Sequence, residues 1–167
     1  MASTPRNPIH RGLITAGIVA ILAVTAGCGF DGGAPNATST LKQLAQVKIL
    51  TAAAPGSTLL GQAQDRGSSS SVTGRPSGVT AVFAFPGTVT TTAAYYQSTY
   101  PQYRLNEEAL ATAHRIQLTG QDGWAVIGID ITDGAPKIPP HYNPKLTSAP
   151  AGNTTFAVIN VVGLPRK

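Results

Sequence analysis

Between Trp124 and Thr132 the chain reads WAVIGIDIT, with Ala125, Ile127, Ile129 and Ile131 at every second position. That spacing scatters the four side chains around a helix but gathers them on one face of a strand. Trp124, Val126, Gly128 and Asp130 are then expected on the opposite face. The same period of two runs through GVTAVFAFP, residues 78–86, with Val79, Ala81, Phe83 and Phe85 on one side and Thr80, Val82 and Ala84 on the other. Pro86-Gly87 ends it. His114, Ile116 and Leu118 alternate in AHRIQLT, residues 113–119, and Gln121-Asp122-Gly123 is the expected hairpin turn into residues 124–132. STLLGQAQDR, residues 57–66, and TTFAVINVVG, residues 154–163, complete the strands.

Two segments follow helical spacing instead. In residues 40–53, Leu41, Leu44, Val47 or Lys48, and Thr51 share a stripe, with Ser39 or Thr40 as cap and Pro55-Gly56 as terminator. In residues 88–100 the stripe is Val89, Ala93, Tyr96 and Tyr100, stopped by Pro101. Its threonines lower helix propensity, because β-branched side chains lose χ1 freedom against the preceding turn. Residues 134–152 form a loop rich in Pro and Gly. The order is helix, two strands, helix, three strands. Adjacent strands joined by short turns pair antiparallel, and helices cover the apolar face. The expectation is an α+β domain over residues 41–167, a single antiparallel sheet of about five strands with two helices packed on one face.

Composition narrows the function classes. Hydrophobic residues make up 42% of the chain and charged residues 11%, which is the reverse of a solvated disordered chain. Lys42, Lys48, Arg66, Arg75, Arg104, Arg115, Lys137 and Lys145 stand singly, whereas a nucleic-acid binder clusters its cations. No nucleic-acid partner is expected. The only cysteine is Cys28, so no internal disulfide and no cysteine-based metal site can form.

That cysteine ends the most specific pattern in the chain. Residues 1–11 carry Arg6, His10 and Arg11 and no acid, and residues 12–24, GLITAGIVAILAV, carry no charge. This is the layout of a secretory signal. Its apolar run is shorter than the 20 or so residues that a membrane-spanning helix needs. Thr25-Ala26-Gly27-Cys28 follows and resembles the lipobox of bacterial lipoproteins, with Thr25 standing where Leu is usual. The resemblance covers residues 1–28. It implies removal of residues 1–27, a diacylglyceryl thioether on Cys28 and attachment at the outer face of a membrane. Two acyl chains meet the threshold for stable anchoring, since one alone holds only marginally. Loss of Arg6 and Arg11 with the signal lowers the formal net charge of +5 by two. Residues 28–40, CGFDGGAPNATST, then read as the lipidated cysteine and a flexible tether.

Catalytic signatures are weak by comparison. Ser68–Ser71 form a low-complexity run, and no GxSxG elbow or phosphate-binding glycine loop occurs. Glu107-Glu108 are expected to open a helical turn, where acids suit the helix dipole. Asp130 and Asp133 are expected at a strand end and turn. Asn36 and Asn153 match the N-glycosylation pattern, read here as chance. No catalytic residue, cofactor or metal site is assigned. The expected role is a non-enzymatic binding or accessory module for an envelope protein, glycan or lipid. Its candidate partner-binding residues are Tyr95 and Tyr103, expected exposed, with His141 and Tyr142 in the long loop. The alternatives are a small hydrolase using His141 or His114 with Asp130, and a lipid-binding carrier.

Overall fold

The computed structural model describes residues 37–51, 54–68, 74–109 and 111–164, all within the compact unit Asp31–Lys167. The signal segment, Cys28 and the tether up to residue 36 lie outside the described residues. The described residues form one antiparallel sheet of six strands with few helices, so they are mostly sheet. The elements are α1 (Ala37–Leu44), α2 (Lys48–Thr51), β1 (Thr58–Asp65), β2 (Gly78–Phe85), α3 (Val89–Thr99), a 3-10 turn (Pro101–Tyr103), β3 (Asn106–Glu107), β4 (Arg115–Asp122), β5 (Ala125–Thr132) and β6 (Thr155–Gly163).

The strands lie in the order β1-β2-β6-β5-β4-β3, and every neighbouring pair is antiparallel. The last strand therefore closes the sheet, inserting between β2 and β5. Its register sets Ile159 between Ala81 of β2 and Ile129 of β5, and Val158 between Val82 and Asp130. On the face of Ile159, apolar positions thus meet apolar positions across the middle of the sheet, which fixes the register, since a slip of one residue would turn this set to the other face.

Both faces of the sheet carry packed apolar side chains at β2 and β6. On one face, Val79, Ala81, Phe83, Phe85, Ile127, Ile129, Ile131, Ile159 and Val161 form one core with Leu41 and Leu44 of α1, Ile49 and Leu50 of α2, and Val89, Ala93 and Tyr96 of α3. On the other, Leu60, Val82, Ala84 and Val158 pack with Ile138, Ala149 and Phe156. The loop 134–152 thus supplies the second cover. Every residue of β2 is buried as a result, while β5 keeps a strict buried and half-buried alternation. The loop is clasped to the edge strand at Leu60, whose carbonyl accepts from Thr147 N (2.8 Å) and Thr147 Oγ1 (3.1 Å). Asn153 sits half-buried, its amide donating to the carbonyls of Ala84 (3.3 Å) and Gly56 (3.4 Å).

Several expectations are corrected. The sheet has six strands, because Asn106 and Glu107 pair with Thr119 and Leu118. Glu107 is thus an edge-strand residue and opens no helical turn. The helix expected over 40–53 is two shorter pieces, broken at residues 45–47, where Val47 N turns to donate to Leu44 O (3.1 Å) and its side chain goes to the core. Ser39 and Thr40 lie inside α1 and do not precede it. The turn between β4 and β5 is Gly123-Trp124, flanked by the pair Asp122↔Ala125. Gly123 alone of the two carries positive φ, at 56°, as a two-residue type II′ turn requires. Trp124 therefore sits at the turn and packs on the main core, not on the far face of β5.

α3 forms despite its threonines because one of them starts it. Thr88 Oγ1 accepts from Thr91 N (3.2 Å), and Thr91 Oγ1 accepts in return from Thr88 N (2.9 Å). This reciprocal box satisfies two helix-start donors. At the far end Tyr100 leaves helical geometry one residue before Pro101.

Candidate functional site

The tyrosines singled out in the sequence are gathered into one aromatic column. Tyr96 meets Phe85 edge-on (5.8 Å between centroids), Tyr100 stacks on Tyr96 (6.2 Å), and Tyr103 stacks on Tyr100 (5.7 Å, 12° between planes). Tyr95 leans on both Tyr96 (5.5 Å) and Tyr100 (6.5 Å) and is half-buried. Tyr103 was expected at the surface; it is only 4% exposed. The reason is the 3-10 turn Pro101–Tyr103, which reverses the chain after α3 and folds Tyr103 beneath Tyr100. Burial pushes its phenol pKa up, although the backbone N–H groups of Lys48 and Ile49 at the start of α2 favour the charged form. Burial likewise raises Tyr100 to about 12 and Tyr96 well above 10.

The loop candidates divide. His141 is exposed and lies against Tyr142 (4.6 Å between centroids). Tyr142 is 6% exposed. Its ring turns down onto the sheet, with the hydroxyl above Gly78 and Thr80 as its hydrogen-bonding neighbour. Tyr142 thus anchors the loop, and only His141 of the two presents itself to solvent.

The polar pairs at the β4 and β5 ends also differ from expectation. Arg115 grips both oxygens of Asp130, through Nε and a terminal nitrogen at 2.8 Å each. His114 precedes β4 in a turn and pairs through Nδ1 with Asp133 at 2.7 Å, which raises its pKa by that hydrogen bond and by charge attraction. Its side chain is 83% exposed. His114 and Asp130, proposed as partners, are each bonded to another residue. Among the described residues no three His, Cys, Asp or Glu side chains gather as a metal site would need.

The structure adds a site that the sequence reading did not assign. Where β3 begins, an open cleft of about 640 Å³ runs along the edge of β4. Gln102, Arg104, Asn106, Thr119 and Gln121 line it together with Tyr103, Gly120, Gly123 and Val126. Arg104 is the only charged residue among them. Its backbone is left-handed (φ 49°, ψ 50°), and it is the only non-glycine residue with positive φ among the described residues. Two contacts hold this bend: Arg104 N donates to Pro101 O (3.1 Å), and the Asn106 amide donates to Arg104 O (3.0 Å). Across the β4–β5 turn lies a second hollow of about 360 Å³, bordered by Gln43, Gln46, Asp122 and Trp124. In the sequence, Arg104 is one of eight scattered cations, and nothing local to it encodes its backbone conformation. The Pro101 stop followed by the polar run QYRLN was the available signal.

Compared with known protein families, curated protein sequences and solved structures, the chain matches none.

Proposed function

We propose that this chain is a membrane-anchored envelope lipoprotein, exported, cut before Cys28, lipidated there, and carrying a non-enzymatic binding module. The observation that carries the anchoring is the sequence around its single cysteine: an uncharged run of 13 residues, then Thr25-Ala26-Gly27-Cys28. No helix among the described residues is long and apolar enough to cross a membrane. In this reading the domain is α+β, with α1 and α3 laid on one face of the sheet. The sharing of one core by Leu44, Val89, Ala93 and Tyr96 with β2, β5 and β6 supports that arrangement.

The binding surface in this proposal is the cleft at Arg104, since it combines a cation with several uncharged hydrogen-bonding side chains. Volumes of 300–1,000 Å³ are usual for ligand sites. Tyr95 and His141 are further contact candidates, being half-buried and exposed. A lipid carrier would instead need room between helices and sheet, where Leu44, Ile49, Ile127 and Ile159 are closely packed and fully buried.

The test is intact mass and detergent phase partitioning of the chain expressed in a bacterial host, beside Cys28→Ser. The expected wild-type product lacks residues 1–27, gains diacylglyceryl mass and enters the detergent phase, and the variant does neither. Equal release of both forms into the aqueous phase would overturn the anchor.

A further inference from the structure

We infer that the cleft beside Arg104 takes the carboxylate end of an extended peptide, which adds to the sheet at the position of β4 that β3 leaves open. This rests on the reading of the domain as a binding module that uses this cleft, and it names the ligand class.

The first observation is the ladder. β3 pairs Asn106 with Thr119 and Glu107 with Leu118, and Glu108 N donates to Gln117 O at 2.9 Å. In an antiparallel ladder the residues that point their N–H and C=O toward one neighbour recur at every second position. Gln117, Thr119 and Gln121 therefore all face the β3 side. In that register Arg104 would stand opposite Gln121, but its left-handed backbone has carried the chain out of the strand. Among the described residues no backbone group pairs with Gln121 on that side. Main-chain pairing to such an open edge is how extended peptides are held.

The second observation is charge. Arg104 borders the same cleft, is exposed, and makes no ion pair among the described residues. A guanidinium fork matches a carboxylate with two parallel hydrogen bonds. The remaining polar wall, Gln102, Asn106, Thr119 and Gln121, is uncharged and offers both donors and acceptors, as a peptide bond needs. An acidic sugar would satisfy Arg104 as well. A main chain also presents an N–H and a C=O at the ladder spacing that the open position at Gln121 continues, so the peptide is the ligand argued for.

The test uses the full chain, wild type and Arg104→Gly. Glycine adopts the left-handed conformation without penalty, so this variant removes the cation and keeps the bend. The probes are a fluorescein-labelled hexapeptide of alternating Thr and Val with a free terminal carboxylate, its amidated twin, and glucuronic acid as competitor. Binding is read by fluorescence anisotropy and by amide chemical shifts of the ¹⁵N-labelled chain. The acid peptide is expected to bind about tenfold or more tightly than the amide, and Arg104→Gly to lose a similar factor, as for hydrogen bonds to a charged group. The Gln121 amide should shift on binding. Equal binding of acid and amide, or full binding by Arg104→Gly, with cleft amides still shifting, would overturn the carboxylate and leave the cleft standing. Competition by glucuronic acid with the Gln121 amide silent would overturn the peptide. If no probe shifts any cleft amide, the cleft reading falls with the inference.

Discussion

The hydroxyl of Tyr142 occupies the space that a Cβ at Gly78 would fill. A residue from the 134–152 loop is thereby seated on the first residue of β2, and it closes the second face of the sheet. Gly78 is needed there for close approach, with no unusual φ to explain it. Gly78→Ala should therefore act as overpacking and cost about 1–3 kcal/mol. Removing the Tyr142 oxygen makes room, so Gly78→Ala in a Tyr142→Phe background should cost less. Urea unfolding of both single variants and the double variant measures this, with a coupling of roughly 0.5–3 kcal/mol expected for contacting residues. Additive effects would mean that the loop does not pack on Gly78.

The pair His114–Asp133 gives a titration with a definite sign. The Asp133 hydrogen bond and its charge raise the His114 pKa above 6.5. The contribution of this pair to stability is fully present below the unfolded value and is lost as pH rises through the higher folded one. The pair is exposed, so its effect is best read locally. In a proton NMR titration His114 should titrate above the ordinary histidine value, and Asp133→Asn should bring it down toward that value. An unchanged His114 midpoint in the variant would show that the pair does not form in solution.

Much of the sheet was legible in the sequence because strand faces are written with period two. Ile127, Ile129 and Ile131 on β5 and Val79, Ala81, Phe83 and Phe85 on β2 occupy the expected core face. What failed to show was set by tertiary contacts. β3 is two residues long and exists only as a partner of β4, so no pattern of its own announces it. Tyr103 carries the same local signal as an exposed tyrosine until the 3-10 turn folds it under Tyr100. The candidate cleft depends on one backbone angle at Arg104, a position where sequence preference would name Gly or Asn.

The tyrosine column predicts an alkaline response. Tyr96, Tyr100, Tyr103 and Tyr142 all have raised pKa values, foremost by burial, and Tyr100 reaches about 12. The unfolded chain ionises these phenols near 10, and the folded chain holds them neutral to higher pH. Stability should therefore fall as pH climbs from 10 toward 12, since the folded state retains protons that the unfolded state releases. Ultraviolet difference titration should show most of the tyrosinate signal arriving late and together with loss of near-ultraviolet circular dichroism. Reversible ionisation of these four tyrosines near pH 10 without unfolding would show that they are open to solvent.

Arg104→Gly separates what the fold prefers from what the cleft uses. A left-handed backbone costs a residue with a Cβ about 1–2 kcal/mol relative to glycine. Glycine returns part of that through its freer unfolded chain, by roughly 0.5–1 kcal/mol. The variant should thus be as stable as the wild type or more so, by up to about 1.5 kcal/mol, in urea unfolding. Asn106→Ala should do the opposite, because it removes the amide that holds the Arg104 carbonyl (3.0 Å). A net hydrogen bond of this kind contributes about 1 kcal/mol. A gain on Arg104→Gly would show that the fold itself does not call for an arginine here, in keeping with the ligand contact proposed above, since backbone strain concentrates at functional positions. If Arg104→Gly instead lowers stability by more than about 1 kcal/mol, the guanidinium has a packing role and the arginine is explained by the fold alone.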